Sequence, residues 1–295
     1  MTWINRYYDP CVTLQTLTSH GSRMIPDRHP FATSARLVFA HRGGAKLAPE
    51  NTMAAFERGL ALGSDGIECD VHLSRDGIPV VIHDQTLDRT TNARGPVRAL
   101  TADELCRVDA GYHFQAADGH PFRARGIGVP TLEQVLRRFV DARVIIEMKD
   151  GLPELARAVI DVVRRTDAID RVCVGSFYQG GLDVIRAEEE AMATSASESE
   201  ARWTLYRSWF KWPLRSRARY CAFQVPQRAG RLRVISPAFV RQAHRDNARV
   251  DVWVVDEPSD MRRLFNCGVD GVISDRPDLA IRTRDEWTQL HNHQR

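Results

Sequence analysis

At 295 residues, with 43% hydrophobic and 27% charged residues, the chain has the composition of an ordinary soluble globular protein. A net charge of +3 is too small to argue for nucleic acid as a partner, and neither an aromatic–basic RNA-binding motif nor zinc-finger spacing occurs. No run approaches the roughly 18 apolar residues of a membrane span, no basic segment leads into an apolar core at the start, and the six cysteines are scattered. The expectation is a cytoplasmic protein with reduced, packed thiols.

Residues 1–34 carry Pro10, Pro26 and Pro30 without any sustained period, and read as a loosely packed or disordered extension. From Ala35 onward, strand-like runs fall at 37–40, 66–71, 79–83, 143–148, 172–176, 220–225, 250–255 and 271–274. Helical spacing lies between most of them: Thr52 to Leu62 with Gly63 as its stop, Leu132 to Val140 after Pro130-Thr131, Leu152 to Val163, and Met261 to Phe265. Gly63-Ser64-Asp65-Gly66-Ile67 and Gly268-Val269-Asp270-Gly271-Val272 repeat one pattern, a glycine helix stop followed by a turn into a strand. About eight parallel strands in a chain of this size favour an α/β fold of the closed (β/α)8 TIM-barrel type over residues 35–280. Asp70 to Pro79 is too short for a crossover helix, so the second and third strands are joined irregularly. Residues 84–130 read as a small inserted subdomain after the third strand, and 281–295 as a polar C-terminal tail.

Polar residues interrupt the apolar runs where proton transfer or metal binding would place them. His41 ends Leu37-Val38-Phe39-Ala40, and His83 ends Pro79-Val80-Val81-Ile82. Two histidines on two strand ends suit paired acid–base work, one taking a proton and the other giving one to a leaving oxygen. Glu68 and Asp70 lie two positions apart on one strand and share a face. With Glu147 from Val144-Ile145-Ile146-Glu147 they form a candidate site for one hard divalent cation, Mg2+ or Ca2+. Arg42 and Lys149 offer positive charge to a phosphate or carboxylate. A structural ion pair between Glu147 and Lys149 is the competing reading. No other histidine shows such a pairing.

Together these residues resemble the glycerophosphodiester phosphodiesterase family. The likeness runs from about Leu37 to Asp278, through His41-Arg42-Gly43, Pro49-Glu50-Asn51-Thr52, Glu68-x-Asp70, His83-Asp84, Arg89-Thr90-Thr91, Val129-Pro130-Thr131, Glu147-Met148-Lys149, Trp253 and Gly268 to Asp275. The resemblance implies His41 and His83 as the acid–base pair and Glu68, Asp70 and Glu147 on the cation, with Mn2+ also accommodated. Arg42 and Lys149 would face the phosphate, and Glu50 would help organise the site. The implied reaction cleaves a small-molecule glycerophosphodiester to an alcohol and glycerol 3-phosphate. Trp253 serves equally as core packing or as a wall of the substrate pocket. Val254 and Asp256 depart from the Trp-Thr-Val-Asn common in the family, which removes a hydroxyl from the glycerol side.

The segment 202–220 holds Trp203, Tyr206, Trp209, Phe210 and Trp212 among six basic residues and no acid. Such a composition suits peripheral contact with an anionic membrane, where the segment would form an apolar entrance for lysophospholipids. It equally describes a barrel helix with aromatics packed inward and arginines solvated, and Pro213 breaks any single continuous face. A binding module that merely retains the barrel is disfavoured, because His41, Glu68, Asp70, His83 and Glu147 are all present.

Overall fold

Alternation along β1 (Leu37–His41) sets the plan of the molecule. Side chains at 37, 39 and 41 share one face of this strand. Leu37 and Phe39 pack there against Ile145, Cys173, Ala222 and Ile273 from other strands. That face is the inside of a barrel.

The computed structural model describes residues 29, 31, 33, 35–117, 119–210 and 218–292. After β1 come β2 (Gly66–Leu73), β3 (Pro79–Val81), β4 (Arg143–Met148), β5 (Val172–Gly175), β6 (Ala193–Thr194) and β7 (Ala222–Pro226). A short hairpin, β8 (Arg228–Ala229) and β9 (Leu232–Arg233), precedes β10 (Arg249–Trp253) and β11 (Gly271–Ser274). The helices are α1 (Met53–Ala61), α2 (Ala102–Cys106), α3 (Leu132–Arg138), α4 (Pro153–Arg165), α5 (Gln179–Glu188), α6 (Glu198–Trp209), α7 (Pro237–Arg245), α8 (Pro258–Asn266) and α9 (Pro277–Asn292).

Parallel pairing runs in the order β6-β5-β4-β2-β1-β11-β10-β7. A single bridge between Ser195 and Ala222 brings the two ends together, with the Ala196 amide donating to the Ala222 carbonyl at 2.8 Å. Eight parallel strands thus form the expected (β/α)8 ring, but not the eight read from the sequence. β3 pairs antiparallel to β2, Val71 opposite Val81 and Leu73 opposite Pro79, and is no barrel strand. The missing member is β6, two residues long and therefore without a detectable hydrophobic period. The long connection consequently follows the second barrel strand, and it contains β3, a 3-10 turn at Val97–Ala99 and α2. Val80, Ile82, Leu87, Val97, Leu105 and Val129 form its apolar cluster.

Two boundaries also differ from expectation. His29 and Phe31 are buried rather than loose: Phe31 stacks on Phe39 at 5.8 Å, and His29 Nε2 lies 3.0 Å from the Ala191 carbonyl. They pack at the N-terminal ends of the barrel strands. The expectation for residues 1–28 lies outside the described residues. At the other terminus the polar segment is no tail but continues α9, which buries Ala280 and Thr283 and anchors Trp287 Nε1 on Asn266.

Local chemistry explains the helix ends. Thr52 caps α1 by accepting from the Ala55 amide, a contact worth about 1 kcal/mol. The repeated glycines do what their pattern predicts: Gly63 and Gly268 take φ of +100° and +90° after α1 and α8. Among the described residues, no helix is long and apolar enough to cross a membrane.

Inside the barrel floor, Arg249 and Asp251 on β10 form a buried bidentate pair, Nη2 to Oδ1 at 2.7 Å and Nε to Oδ2 at 2.9 Å. Removing one member leaves an uncompensated buried charge. Asp251→Ala is therefore expected to lower stability by about 3–5 kcal/mol in urea denaturation. A loss below about 1 kcal/mol would show that the pair is not needed to hold the floor.

Candidate active site

The same alternation that buries Leu37 and Phe39 carries His41 to the mouth. On β2 the inward positions are Gly66, Glu68 and Asp70, while Ile67, Cys69 and Val71 join the core between barrel and helices. On β4 they are Ile145 and Glu147, followed by Lys149 just beyond the strand. Register then does the rest: His41 lies opposite Glu68, and Asp70 opposite Glu147. Lys149 Nζ sits 2.9 Å from Asp70 Oδ1 and 3.0 Å from Glu147 Oε1.

The loop after β1 wraps this cluster. Arg42 takes a left-handed φ of +51°, unusual for a residue with a Cβ, and three contacts hold it there. Its amide donates to Glu68 Oε2 at 3.1 Å, Nη1 to Glu50 Oε1 at 2.9 Å, and Nε lies 3.1 Å from Asp70 Oδ2. Next to it, Gly43 at φ +86° presses on α1 so closely that a Cβ would stand 2.6 Å from the Ala55 carbonyl carbon. Asn51, also left-handed at φ +58°, clamps Asp70 twice, donating from Nδ2 to Oδ2 at 2.8 Å and accepting the Asp70 amide at 3.2 Å.

Each strand-end histidine is anchored through Nδ1 by a carboxylate. His41 Nδ1 is 2.6 Å from Asp275 Oδ1, and His83 Nδ1 is 2.6 Å from Asp84 Oδ1. A carboxylate partner requires Nδ1–H, which leaves Nε2 of both rings to act on a ligand. His41 Nε2 lies 3.8 Å from Glu68 Oε2. Behind His83, Arg89 joins Asp84 to Glu50 with paired bonds of 2.7–3.1 Å to the two carboxylates. His72 on β2 reaches the backbone carbonyl of His83 from Nε2 at 3.0 Å. Asp275 is steadied in turn by Asp256, which accepts from the Asp275 amide at 2.8 Å and from Ser274 Oγ at 2.9 Å.

Burial and crowding decide the electrostatics. Burial first, then neighbouring Asp70, pushes the Glu68 carboxyl up to about 8. Asp70 is also buried, but Lys149 and Arg42 overcome that and hold its carboxyl below the usual range. Burial alone would lower the His41 imidazole; the Asp275 hydrogen bond and the Glu68 charge raise it instead. Glu68, Asp70 and Glu147 each present an oxygen within 4.8 Å of the others. Three converging carboxylate oxygens fit a hard divalent cation.

The structure brings together His41, Arg42, Glu50, Glu68, Asp70, His83, Glu147 and Lys149 at the mouth. Trp253, at the end of β10, stands on another side of it and meets Phe177 edge-on at 6.0 Å. Of the segment 202–220, residues 202–209 lie in α6, which leads down the outer wall to where Arg207 pairs with Asp246, just before β10 begins at the barrel floor. This described part runs away from the mouth. Residues 211–217 lie outside the described residues. Sequence reasoning gave no role to Asp275, Asp84, Arg89, Asn51 or His72. Asp84, Arg89, Asn51 and Asp275 all stood inside recognisable motifs, but the pairing of Asp275 with His41 comes only through folding.

Comparison with known proteins agrees with this geometry. The model of the glycerophosphoryl diester phosphodiesterase family matches residues 41–279. A glycerophosphodiester phosphodiesterase of Caldanaerobacter subterraneus subsp. tengcongensis is 34% identical over 250 residues, covering 83% of this chain and 96% of that protein. A solved glycerophosphoryl diester phosphodiesterase domain from Mycobacterium tuberculosis superposes with a TM-score of 0.72 at 25% identity, covering 85% of this chain and 99% of that one. A phosphodiesterase of Oleispira antarctica, solved with its product sn-glycerol-3-phosphate, gives a TM-score of 0.70 at 26% identity, covering 85% and 97%.

The His83 anchor makes a pH-dependent prediction. Hydrogen bonds from Arg89, then from His83, pull the Asp84 carboxyl down to about 2 from its ordinary 3.8. A depressed folded-state value stabilises above the unfolded value and is lost as pH falls through the folded one. The shift is worth at most roughly 2 kcal/mol, and partial solvent exposure reduces the expected effect to about 1 kcal/mol. Asp84→Asn should therefore cost about that much at pH 6, with the gap to the native protein closing between about pH 4 and 2. Denaturant titrations across this range check it; a gap independent of pH would contradict the assignment.

Proposed function

This chain belongs to the glycerophosphoryl diester phosphodiesterase family and is a phosphoric diester hydrolase, and from that premise we propose that it cleaves glycerophosphodiesters to an alcohol and glycerol 3-phosphate. The observation that carries the reading is the pair of Nδ1-anchored histidines beside a carboxylate cluster flanked by Arg42 and Lys149.

In this mechanism Arg42 and Lys149 bind and orient the phosphoryl oxygens, charge already in place before the substrate arrives. One imidazole Nε2 takes the proton of the attacking hydroxyl as its oxygen bonds to phosphorus. As the phosphorus–oxygen bond to the alcohol breaks, the other Nε2 gives its proton to the departing oxygen. Asp275 and Asp84 hold the two rings in the required tautomer and offset the imidazolium charge. The attacking oxygen is that of water, or of a neighbouring substrate hydroxyl, in which case a cyclic phosphate forms first and water opens it. Glu68, Asp70 and Glu147 would hold one divalent cation, Mg2+, Ca2+ or Mn2+, which when bound offsets negative charge on the phosphoryl oxygens. Glu50 organises Arg42 and Arg89. Trp253 with Phe177 walls the substrate pocket. A cytoplasmic setting is part of the same reading.

The test is release of glycerol 3-phosphate from a panel of glycerophosphodiesters that includes a lysophospholipid. Turnover of the small diesters is expected, with His41→Ala and His83→Ala each lowering kcat by roughly 100-fold or more. Full turnover in either variant would remove that histidine from the chemistry. Turnover of the lysophospholipid alone would replace the substrate class.

A further inference from the structure

Helix α6 is amphipathic in the wrong sense for a barrel wall. Its buried side consists of Thr204, Leu205, Arg207 and Ser208. Its large aromatic residues face outward: Trp203 is 59% exposed, Tyr206 42%, Trp209 49% and the capping Phe210 77%. At 100° per residue these four side chains fall within an arc of about 120°, opposite the buried face, and Arg202 falls inside the same arc. Tyr206 and Trp209 touch at 5.4 Å. On the inner side Arg207 turns in to Asp246 at 2.9 Å, beside buried Thr204, Leu205 and Ser208. A contiguous aromatic stripe of this kind marks a contact surface.

Charge selects the occupant. Arg241 and Arg245, on the adjoining helix α7, are exposed, while Arg202 in the stripe is paired with Glu198. Acid near the stripe is already engaged: Glu198 meets Arg202 at 3.3 Å, Glu200 meets Arg186 at 2.8 Å, and Asp246 is buried under Arg207. No acidic residue occurs between Arg202 and Tyr220. Two copies of this face would gain no opposite charge for Arg241 and Arg245. An anionic lipid surface, by contrast, offers negative headgroups to the arginines and an interfacial layer to tryptophan and tyrosine, whose rings are apolar with one polar edge.

We propose that the α6 face formed by Trp203, Tyr206, Trp209 and Phe210, bordered by Arg241 and Arg245, docks this protein on anionic membrane surfaces. The stripe extends toward the barrel floor, so a protein docked there keeps its mouth in the aqueous phase. The surface thus places the enzyme beside a membrane without feeding lipid into the site. It is independent of the catalytic residues.

Co-sedimentation of the full chain with vesicles tests this. Phosphatidylglycerol–phosphatidylcholine vesicles should bind the protein, and phosphatidylcholine vesicles much less. Raising ionic strength should weaken binding, because exposed charges are screened. The variant Trp203→Ser/Trp209→Ser/Phe210→Ser should need about tenfold more lipid for half-binding, equivalent to about 1.4 kcal/mol, with its circular dichroism and catalytic turnover unchanged. Should that variant fail to fold, Arg241→Glu/Arg245→Glu must show the loss on anionic vesicles alone. The proposal is overturned if the native protein stays in solution with both vesicles, or if the folded variants sediment like it. A concentration-dependent dimer abolished by the triple variant, without vesicle binding, would assign the face to a second copy instead.

Discussion

Everything at the mouth depends on holding several carboxylates in a space where like charges repel. Glu68, Asp70 and Glu147 converge because β2 and β4 are neighbours in register and their inward positions coincide. In isolation such a cluster would oppose folding, since buried charge needs compensation. Arg42 and Lys149 supply it from the ends of β1 and β4. Burial, with Asp70 beside it, still raises the Glu68 carboxyl. The remaining polar residues serve as props: Asn51 aligns Asp70, Glu50 aligns Arg42, and Arg89 ties Glu50 to the anchor of His83.

The barrel makes this arrangement affordable by separating its ends. The floor is closed by Phe31, Phe39 and the buried Arg249–Asp251 pair, with satisfied charges and stacked rings. The mouth carries strained backbone at Arg42 and Asn51 and the crowded carboxylates. Stability is concentrated at one end and reactivity at the other, as the family's fold requires of a site built from strand ends and their loops.

Much of this was legible in the sequence because it obeys local periodicity. Glu68 and Asp70 share a face by strand alternation alone, Thr52 and Gly63 announce both ends of α1, and the Gly-x-Asp-Gly repeat marks two entries into parallel strands. What escaped has physical reasons. β6 is too short to show a period, and β3 looks like any buried strand although it pairs antiparallel. Asp275 lies 234 residues from His41, so no local pattern connects them. α6 reverses the usual rule, burying the Arg207–Asp246 pair and exposing its aromatics. Composition revealed the unusual segment; only the fold shows which face is bare and which end of the barrel it serves.

The central claim is that the carboxylates of β2 and β4 form one divalent-cation site. Mn2+ binding, followed by electron paramagnetic resonance on chelator-treated protein, tests it most directly. One Mn2+ per chain is expected, displaced by Mg2+ or Ca2+, with Glu68→Gln and Glu147→Gln each weakening binding about tenfold or more, the loss of one charged oxygen ligand. Stoichiometric binding that survives both substitutions, or none in the native protein, would contradict the account.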